Sequence, residues 1–214
     1  MITVSYGPAA VESDLRGGLL LCPECKESLR PWGRARQRRI RMGTGDATVS
    51  VFCPFRARCS GCKVTQVLLP VALAARRADE ALVISAAIEA HVIEGLGHRS
   101  IAERVGRPVS TVRGWLRSYA RSAGALSVWF RRLVLRDAPD AAAFWPQSAG
   151  GLLAQALEFL MAYARVLGER FARPKTGLVP WHVAALASVG PWVLSGVWWA
   201  KRTATPIGPD AAGC

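Results

Sequence analysis

The sequence predicts a mainly α fold with a small β-rich segment near the N-terminus, and three observations support this interpretation. Apolar residues recur at helical spacing over most of the chain beyond position 70. Alternation with a period of two is confined to residues 34–69. Two Cys-x-x-Cys pairs accompany that segment, one before it at Cys22 and Cys25 and one within it at Cys59 and Cys62. A chain of 214 residues has room for one sizeable domain or two small ones.

The formal net charge of +13 is concentrated in two stretches of the chain. Residues 26–63 contain ten Lys or Arg and two acids, and residues 97–121 contain six Arg and one acid. Arginine outnumbers lysine 24 to 4, and a biased composition explains that choice of cation. It does not explain the clustering, which favours a polyanionic partner over general solubility.

The first 18 residues have neither the basic start nor the apolar run of a secretory signal. We therefore expect a cytoplasmic protein, with a loose arm at this end of the chain. In that compartment paired cysteines are more often metal ligands than disulfides.

The cysteine pairs predict one metal site. Two residues between the members of each pair let a tight turn point both thiolates at the same ion, and tetrahedral Zn²⁺ takes four such ligands. Cys22, Cys25, Cys59 and Cys62 are the predicted ligands. The 33 residues between the pairs exceed the ~15–20 of the commonest four-cysteine spacing, but they can hold a hairpin. The alternative is a set of reduced structural cysteines.

The stretch around these pairs predicts three strands, at residues 34–41, 48–55 and 64–69, with a glycine-rich turn after the first. We therefore interpret residues 19–69 as a zinc ribbon in which the metal supplies much of the folding free energy. A fifth cysteine, Cys53, is expected to be a buried strand thiol or else to replace Cys59 as a ligand.

Alternating arginines on the first predicted strand, Arg34, Arg36 and Arg38, would share one face of it. Two interpretations stay open: they contact phosphates without reading sequence, or they are the solvated charges of an edge strand that resists aggregation.

Residues 98–121 predict a pair of short helices joined by a tight turn. Ile101 and Val105 give the first helix an apolar face, Gly106 permits the turn, and Val112 and Trp115 continue an apolar face on the second. The opposite face of the second helix holds small residues and two cations but no acid, which suits a DNA groove. The predicted DNA-contacting residues there are Val109, Ser110, Arg113, Gly114 and Arg117. An ordinary helical hairpin with solvated arginines is the alternative.

This segment, with IAERVG followed by STVRGWLR, resembles the helix-turn-helix of transposases, resolvases and bacterial repressors. The preceding CPEC and RCSGCKVTQVLLP resemble the zinc ribbons found ahead of transposase helix-turn-helix modules. The resemblance implies a fold and binding to double-stranded DNA, but no target sequence.

The remaining segments read as helical. A helix within residues 71–97 would complete a three-helix core around the helix-turn-helix, and residues 126–136 and 152–171 predict amphipathic helices. Residues 178–200 carry no charge and are long enough to span a bilayer. Prolines, glycines and polar residues interrupt them, so we favour a buried helical pair that closes a C-terminal module and offers a homodimer surface. The expected units are a loose arm (1–18), the zinc ribbon (19–69), the helix-turn-helix domain (70–122), a helical C-terminal region (123–202) and a loose tail (203–214).

We therefore expect a DNA-binding protein, transposase-like or regulatory, with a structural zinc ion. It is not expected to be an enzyme, because strand transfer needs clustered carboxylates around two metals and the acids beyond residue 122 are few and scattered. An accessory or remnant transposase subunit, and a protein-binding or membrane-tethered adaptor, are the alternatives.

Overall fold

The computed structural model describes residues 1–4, 7–46, 48–140, 145–146, 150–171 and 179–195. Its strands are β1 (Ile2–Val4), β2 (Leu29–Arg34), β3 (Arg38–Met42), β4 (Thr48–Phe52), β5 (Phe55–Cys59) and β6 (Thr65–Pro70). Its helices are α1 (Pro8–Gly17), α2 (Ala81–Val92), α3 (His98–Val105), α4 (Val109–Asp137), α5 (Leu152–Val166) and α6 (Trp181–Val189). A π-helical turn, Leu167–Phe171, continues α5. The predicted division into an N-terminal β-rich part and a helical remainder is confirmed.

The strands form two small sheets. Four of them make a sheet in the order β1-β6-β5-β2, in which β1 runs parallel to β6 and the other pairs are antiparallel. The other sheet is the antiparallel hairpin β3–β4, in which Arg38 pairs with Phe52 and Met42 with Thr48.

The N-terminal segment is ordered, contrary to the expectation of a loose arm. Residues 2–4 form the edge strand β1. Val11 and Leu15 of α1 pack in a core that they share with Leu29 and Leu68 of the sheet. The two helix residues are four apart, so they lie on one face of α1. One apolar pair at helical spacing in so short a segment does not predict that α1 packs on the sheet.

The predicted strand at residues 34–41 is divided in the structure. Strand β2 ends at Arg34 and β3 begins at Arg38, so Arg34, Arg36 and Arg38 do not share a strand face. The predicted strand at residues 48–55 is likewise divided, because Pro54 has no amide hydrogen to donate to a ladder and lies between β4 and β5.

Helix α4 runs for 29 residues without a break, across the expected boundary between residues 122 and 123. Its buried side chains keep helical spacing through that point, from Tyr119 and Ala123 to Leu126 and Phe130. One hydrophobic core therefore includes both halves of α4 together with α2, α3, α5 and α6. The change in composition after residue 121 reflects a new packing partner, α5, and not the end of a helix.

The remaining helices differ from expectation mainly in their limits. For residues 71–97 the sequence predicts one long or two short helices, with helical spacing from Glu80 onward; the structure has one helix there, which begins at Ala81 after a turn-rich stretch. Of the uncharged segment 178–200, residues 179–195 are described, and α6 buries Trp181, Leu186 and Val189 in the chain's own core. No helix in the described parts of the chain is both long and apolar enough to cross a bilayer. The expected tail, 203–214, lies outside the described residues.

Candidate metal centre and nucleic-acid surface

Two similar turns bring the cysteine pairs together. In the first, the amide of Cys22 donates to the carbonyl of Glu27 (2.8 Å), and the chain reverses through Lys26. In the second, the amide of Cys59 donates to the carbonyl of Val64 (3.0 Å). The lysine after each pair, Lys26 and Lys63, is left-handed, with φ of 65° and 63°. The same backbone shape thus presents two sulfurs from each turn.

The four sulfurs are close enough together to share one metal ion. Cys22, Cys25, Cys59 and Cys62 place their Sγ atoms within 4.8 Å of one another. The Sγ atoms of Cys22 and Cys62 are 3.7 Å apart, and those of Cys25 and Cys59 are 3.3 Å apart. A tetrahedron with Zn–S bonds of ≈ 2.3 Å has sulfurs separated by about 3.8 Å. The predicted convergence of these four cysteines is confirmed, and the cluster could hold a metal ion.

The fifth cysteine stands apart from this cluster. Cys53 is exposed, contrary to the expectation of a buried thiol, and its Sγ donates to the carbonyl of Ala35 (3.3 Å). It does not replace Cys59, which is buried among the other ligands. The strand before it, β4, is itself largely exposed, so its neighbourhood provides no core in which the thiol could be buried.

Backbone amides near the cluster influence the pKa values of two of its thiols. The amides of Glu27 and Cys62, with the Cys59 thiol, lower the pKa of Cys25 to about 6. At Cys62 the Val64 amide acts in the same direction, but desolvation and bonds to the neighbouring thiols outweigh it and raise the pKa to about 12. A metal ion bound by the four sulfurs would displace the protons that they carry.

The turn between α3 and α4 is built on a left-handed glycine. Gly106 has φ of 63°, and a Cβ there would lie 2.4 Å from the carbonyl oxygen of Gly45 in the β3–β4 turn. Ile101 and Val105 of α3 and Val112 of α4 are buried in the common core on either side. Helix α2 packs against both helices.

The predicted DNA-contacting residues of α4 face solvent. All five are exposed: Val109, Ser110, Arg113, Gly114 and Arg117. Arg113 donates from Nη2 to Nε2 of His98, 3.0 Å away, which brings the first residue of α3 beside the second turn of α4. The structure thus keeps these five residues together on one open surface.

Both helices begin at this surface without a side-chain cap. The N-cap residues are Gly97 for α3 and Pro108 for α4, and neither makes a side-chain hydrogen bond to the helix. The first amides of a helix have no partner within it, and they carry the positive end of its dipole. Uncapped N-termini beside arginines are suited to binding anions such as phosphate.

The arginines predicted on the first strand have separate environments. Arg34 places its guanidinium 3.5 Å from the centre of the Phe55 ring, and Arg36 is exposed in the connection after β2. Arg38 is half-buried and donates to the carbonyls of Ala74 and Arg77. Burial lowers the pKa of Arg38. Its two hydrogen bonds support the loop before α2.

A buried ion cluster that was not predicted joins the hairpin to the helices. Asp79 is almost fully buried and accepts from Nε of Arg107 at 2.6 Å and from Nη2 of Arg41 at 2.6 Å. Arg107 also donates to the carbonyls of Gly43 (2.8 Å) and Val105 (3.0 Å). The turn of the hairpin is therefore fixed against the turn between α3 and α4.

Sequence reasoning missed this cluster because its members are far apart in the chain. Asp79 follows two arginines and looks like part of a polar break, and Arg107 looks like one more surface cation beside Pro108. The pairing of Asp79 with both arginines exists only once β3 lies beside residues 78–80, where the Arg41 amide donates to the Ala78 carbonyl (2.8 Å).

Within the described residues the four cysteines are the only group of three or more His, Cys, Asp or Glu side chains close enough to share a metal. No protein-family model, curated protein or solved structure matches the chain.

Proposed function

We propose that the protein binds double-stranded DNA, with α3 and α4 acting as a helix-turn-helix and α2 as the third helix of its core. The N-terminal turns of α4 enter the major groove. Arg113 and Arg117 contact base edges or phosphates, and Ser110 lies at the end of the helix that meets the bases. Arginine bonding to guanine is the commonest specific contact in that groove.

One observation carries this proposal: α4 has a solvent-facing side with arginines and without acids. Arg113, Arg117 and Arg121 are spaced by four residues and exposed, and the helix holds no carboxylate before Asp137. No carboxylate of the described chain lies within 4.0 Å of these guanidinium groups. A solvated helix normally interleaves both signs of charge along its surface.

The uncapped N-terminus of α3 also supports the proposal, because its amides can bind a phosphate beside the groove. His98 connects it to Arg113, so a phosphate bound there would lie next to the recognition residues. The hairpin docked at Gly106 restrains the angle between the two helices.

In this proposal the metal is structural zinc. Cys22, Cys25, Cys59 and Cys62 supply four protein ligands, which leaves no open position for a substrate. When bound, the ion would hold the two turns of the ribbon together, and it takes no part in chemistry.

The class we propose is a transposase-like DNA-recognition protein or a transcriptional regulator. The resemblance of the two segments to transposase modules supports the first, and both classes use the same contacts. Catalysis is not part of the proposal. Two acids beyond residue 122 are committed to other groups, since Asp137 pairs with Arg136 and Asp140 with Arg170.

The test begins with selection of a preferred site from a random duplex pool, because the target is unknown. Affinity for that site and for random duplex is then measured for the wild type and for Arg113→Ala. We expect the variant to lose about 1–3 kcal/mol on the selected site and clearly less on random DNA. Arg165→Ala, which removes an exposed arginine from α5, is the matched control.

Two results would contradict this proposal. Failure of the wild type to bind any duplex in dilute salt would remove it altogether. Equal loss on both kinds of DNA would show that Arg113 only touches phosphate, and the assignment of a base-reading role to this residue would be withdrawn.

A further inference from the structure

On strands β2 and β5, one face of the four-stranded sheet is covered by α1 and the other is more exposed. Ala57 and Cys59 of β5 belong to the small core beneath α1. Side chains alternate along a strand, so the neighbouring Arg56 and Arg58 point to the opposite face. Both are only partly buried.

An exposed tryptophan lies on this open face. Trp32 is 52% exposed, and the guanidinium of Arg58 lies 4.7 Å from the centre of its ring. The pairing of β2 with β5 is irregular between Pro31 and Arg34, and Gly33 there has φ of 83°. A bulge of this kind redirects side chains, and here the side chain beside it is the indole.

The charge on this face is of one sign. Of the four arginines on β2 and β5, Arg30, Arg56 and Arg58 lie on it, and strands β2, β5 and β6 contain no acid. The guanidinium of Arg30 donates to the carbonyl of Arg16 (3.3 Å), and that of Arg58 donates to the carbonyl of Lys63 (3.3 Å). Neither Arg56 nor Arg58 forms an ion pair with a carboxylate of the described residues. The face therefore combines an exposed aromatic ring with cations that have no acidic partner in the described part of the chain.

We propose that this face, defined by Trp32, Arg56 and Arg58 and called the sheet platform, binds single-stranded nucleic acid. One unpaired base stacks on the indole of Trp32, and the adjoining phosphates contact Arg56 and Arg58. Stacking on an aromatic side chain beside a basic track is how proteins bind single strands with little sequence preference.

A duplex does not fit the sheet platform as well as a single strand does. In a duplex the faces of the bases are already stacked on one another, so a ring on a flat sheet meets only the sugar–phosphate backbone. The platform thus adds a ligand beyond the duplex proposed for α4, and it uses none of the residues assigned to the groove.

The test measures binding of the full chain to an end-labelled 12-nucleotide oligothymidylate by fluorescence anisotropy. We expect Trp32→Ala to weaken binding by roughly 5- to 100-fold, as for loss of one stacked base, and Trp32→Phe to stay near wild type. Arg58→Ala should weaken it as well. Zinc content and far-UV circular dichroism check that the variants fold, which an exposed residue should allow.

An abasic oligonucleotide of the same length separates stacking from charge. It keeps the phosphates, so it should bind more weakly than oligothymidylate and be insensitive to Trp32→Ala. An oligouridylate arm compares RNA with DNA. The proposal fails if the wild type does not bind single strands, if Trp32→Ala binds oligothymidylate as the wild type does, or if the abasic strand binds equally well.

Arg113→Ala distinguishes the two surfaces. It should leave binding to oligothymidylate unchanged, while Trp32→Ala should leave binding to the selected duplex unchanged. Loss of single-strand binding in Arg113→Ala, to the same extent as in Trp32→Ala, would overturn the platform. Absence of duplex binding with single-strand binding intact would instead refute the function proposed for α4.

Discussion

At the scale of single residues, Gly106 has the most demanding backbone position at the candidate DNA surface. Its left-handed conformation disfavours any residue with a Cβ, and the Gly45 carbonyl occupies the place that a Cβ would take. Gly106 therefore permits both the tight turn between α3 and α4 and the close approach of the β3–β4 hairpin.

We expect Gly106→Ala to lower the free energy of unfolding by about 2 kcal/mol or more, because left-handed alanine costs about 1–2 kcal/mol before the clash is counted. Gly114→Ala is the matched control, since its Cβ would meet open space within α4; it should be neutral or stabilise by about 0.5–1 kcal/mol. Urea denaturation measures both. Equal effects of the two substitutions would contradict the backbone assigned to Gly106.

A second residue-scale feature is the buried His182. Ser85 donates its hydroxyl to the Leu82 carbonyl (2.8 Å) and lies 3.0 Å from Nδ1 of His182, so the ring donates from Nδ1 to Ser85. Burial lowers the pKa of His182 to about 4, below its usual 6.5. The neutral ring is therefore the form that the fold accommodates.

Because the unfolded histidine takes up a proton below about pH 6.5 and the folded one only below about 4, stability should fall as the pH falls through that window. We expect the wild type to lose about 2 kcal/mol more than His182→Gln between pH 7.5 and pH 5, since one pKa unit is ≈ 1.36 kcal/mol. Urea midpoints at the two pH values measure this. Comparison of the two proteins removes effects of zinc loss, and identical losses would disprove the buried neutral ring.

At the scale of elements, the two cysteine turns lie beside the four-stranded sheet and its small core. The core between α1 and the sheet is small, with Val11, Leu15, Leu29 and Leu68 among its members. A core of that size seldom stabilises itself without a further link. The metal would supply that link by joining the end of β5 to the segment before β2.

We expect a strong chelator to unfold the four-stranded sheet, because the metal would link its two cysteine turns. The helices from α2 onward should persist, because they share a separate and larger core. Hydrogen exchange measures this unfolding as a loss of amide protection in β2, β5 and β6. Cys25→Ser should have the same effect, whereas Cys53→Ser, outside the cluster, should not. Full protection of the sheet in the chelated protein would contradict a structural metal.

At the scale of the whole molecule, the ion cluster at Asp79 joins the β-rich part to the helical part. Its carboxylate holds Arg41 of β3 and Arg107 beside α4. A buried cation left without its partner is costly, so the cluster makes the hairpin and the helical core depend on each other. These ionic contacts add to the backbone hydrogen bonds between Arg41 and residues 78 and 80, which hold β3 beside the segment before α2.

We expect Asp79→Asn to destabilise the protein by about 3–5 kcal/mol, as for removal of one partner from a buried ion pair. Asp140→Asn is the control, because Asp140 pairs with Arg170 at an exposed site and such pairs contribute about 0–1 kcal/mol. Thermal and urea denaturation measure both. A loss no larger than that of the control would show that the cluster does not hold the two parts together.

The sequence was sufficient for features set by local spacing. The Cys-x-x-Cys pairs predicted the metal-site cysteines, because a two-residue gap constrains the turn that contains them. Apolar periodicity predicted which faces of α3 and α4 would be buried, and therefore which residues of α4 stay exposed. These results follow from the chain within a few residues of each position.

Tertiary structure decided what depends on distant partners. Helix α4 continues beyond residue 122 because it packs on α5, and α1 forms because it packs on the sheet beneath it. Asp79 is buried because two arginines, 38 and 28 residues away in the chain, pair with its carboxylate. The open face of Trp32 likewise depends on which side of the sheet α1 covers. Local spacing does not encode these pairings, since each becomes favourable only when remote segments have already been brought together.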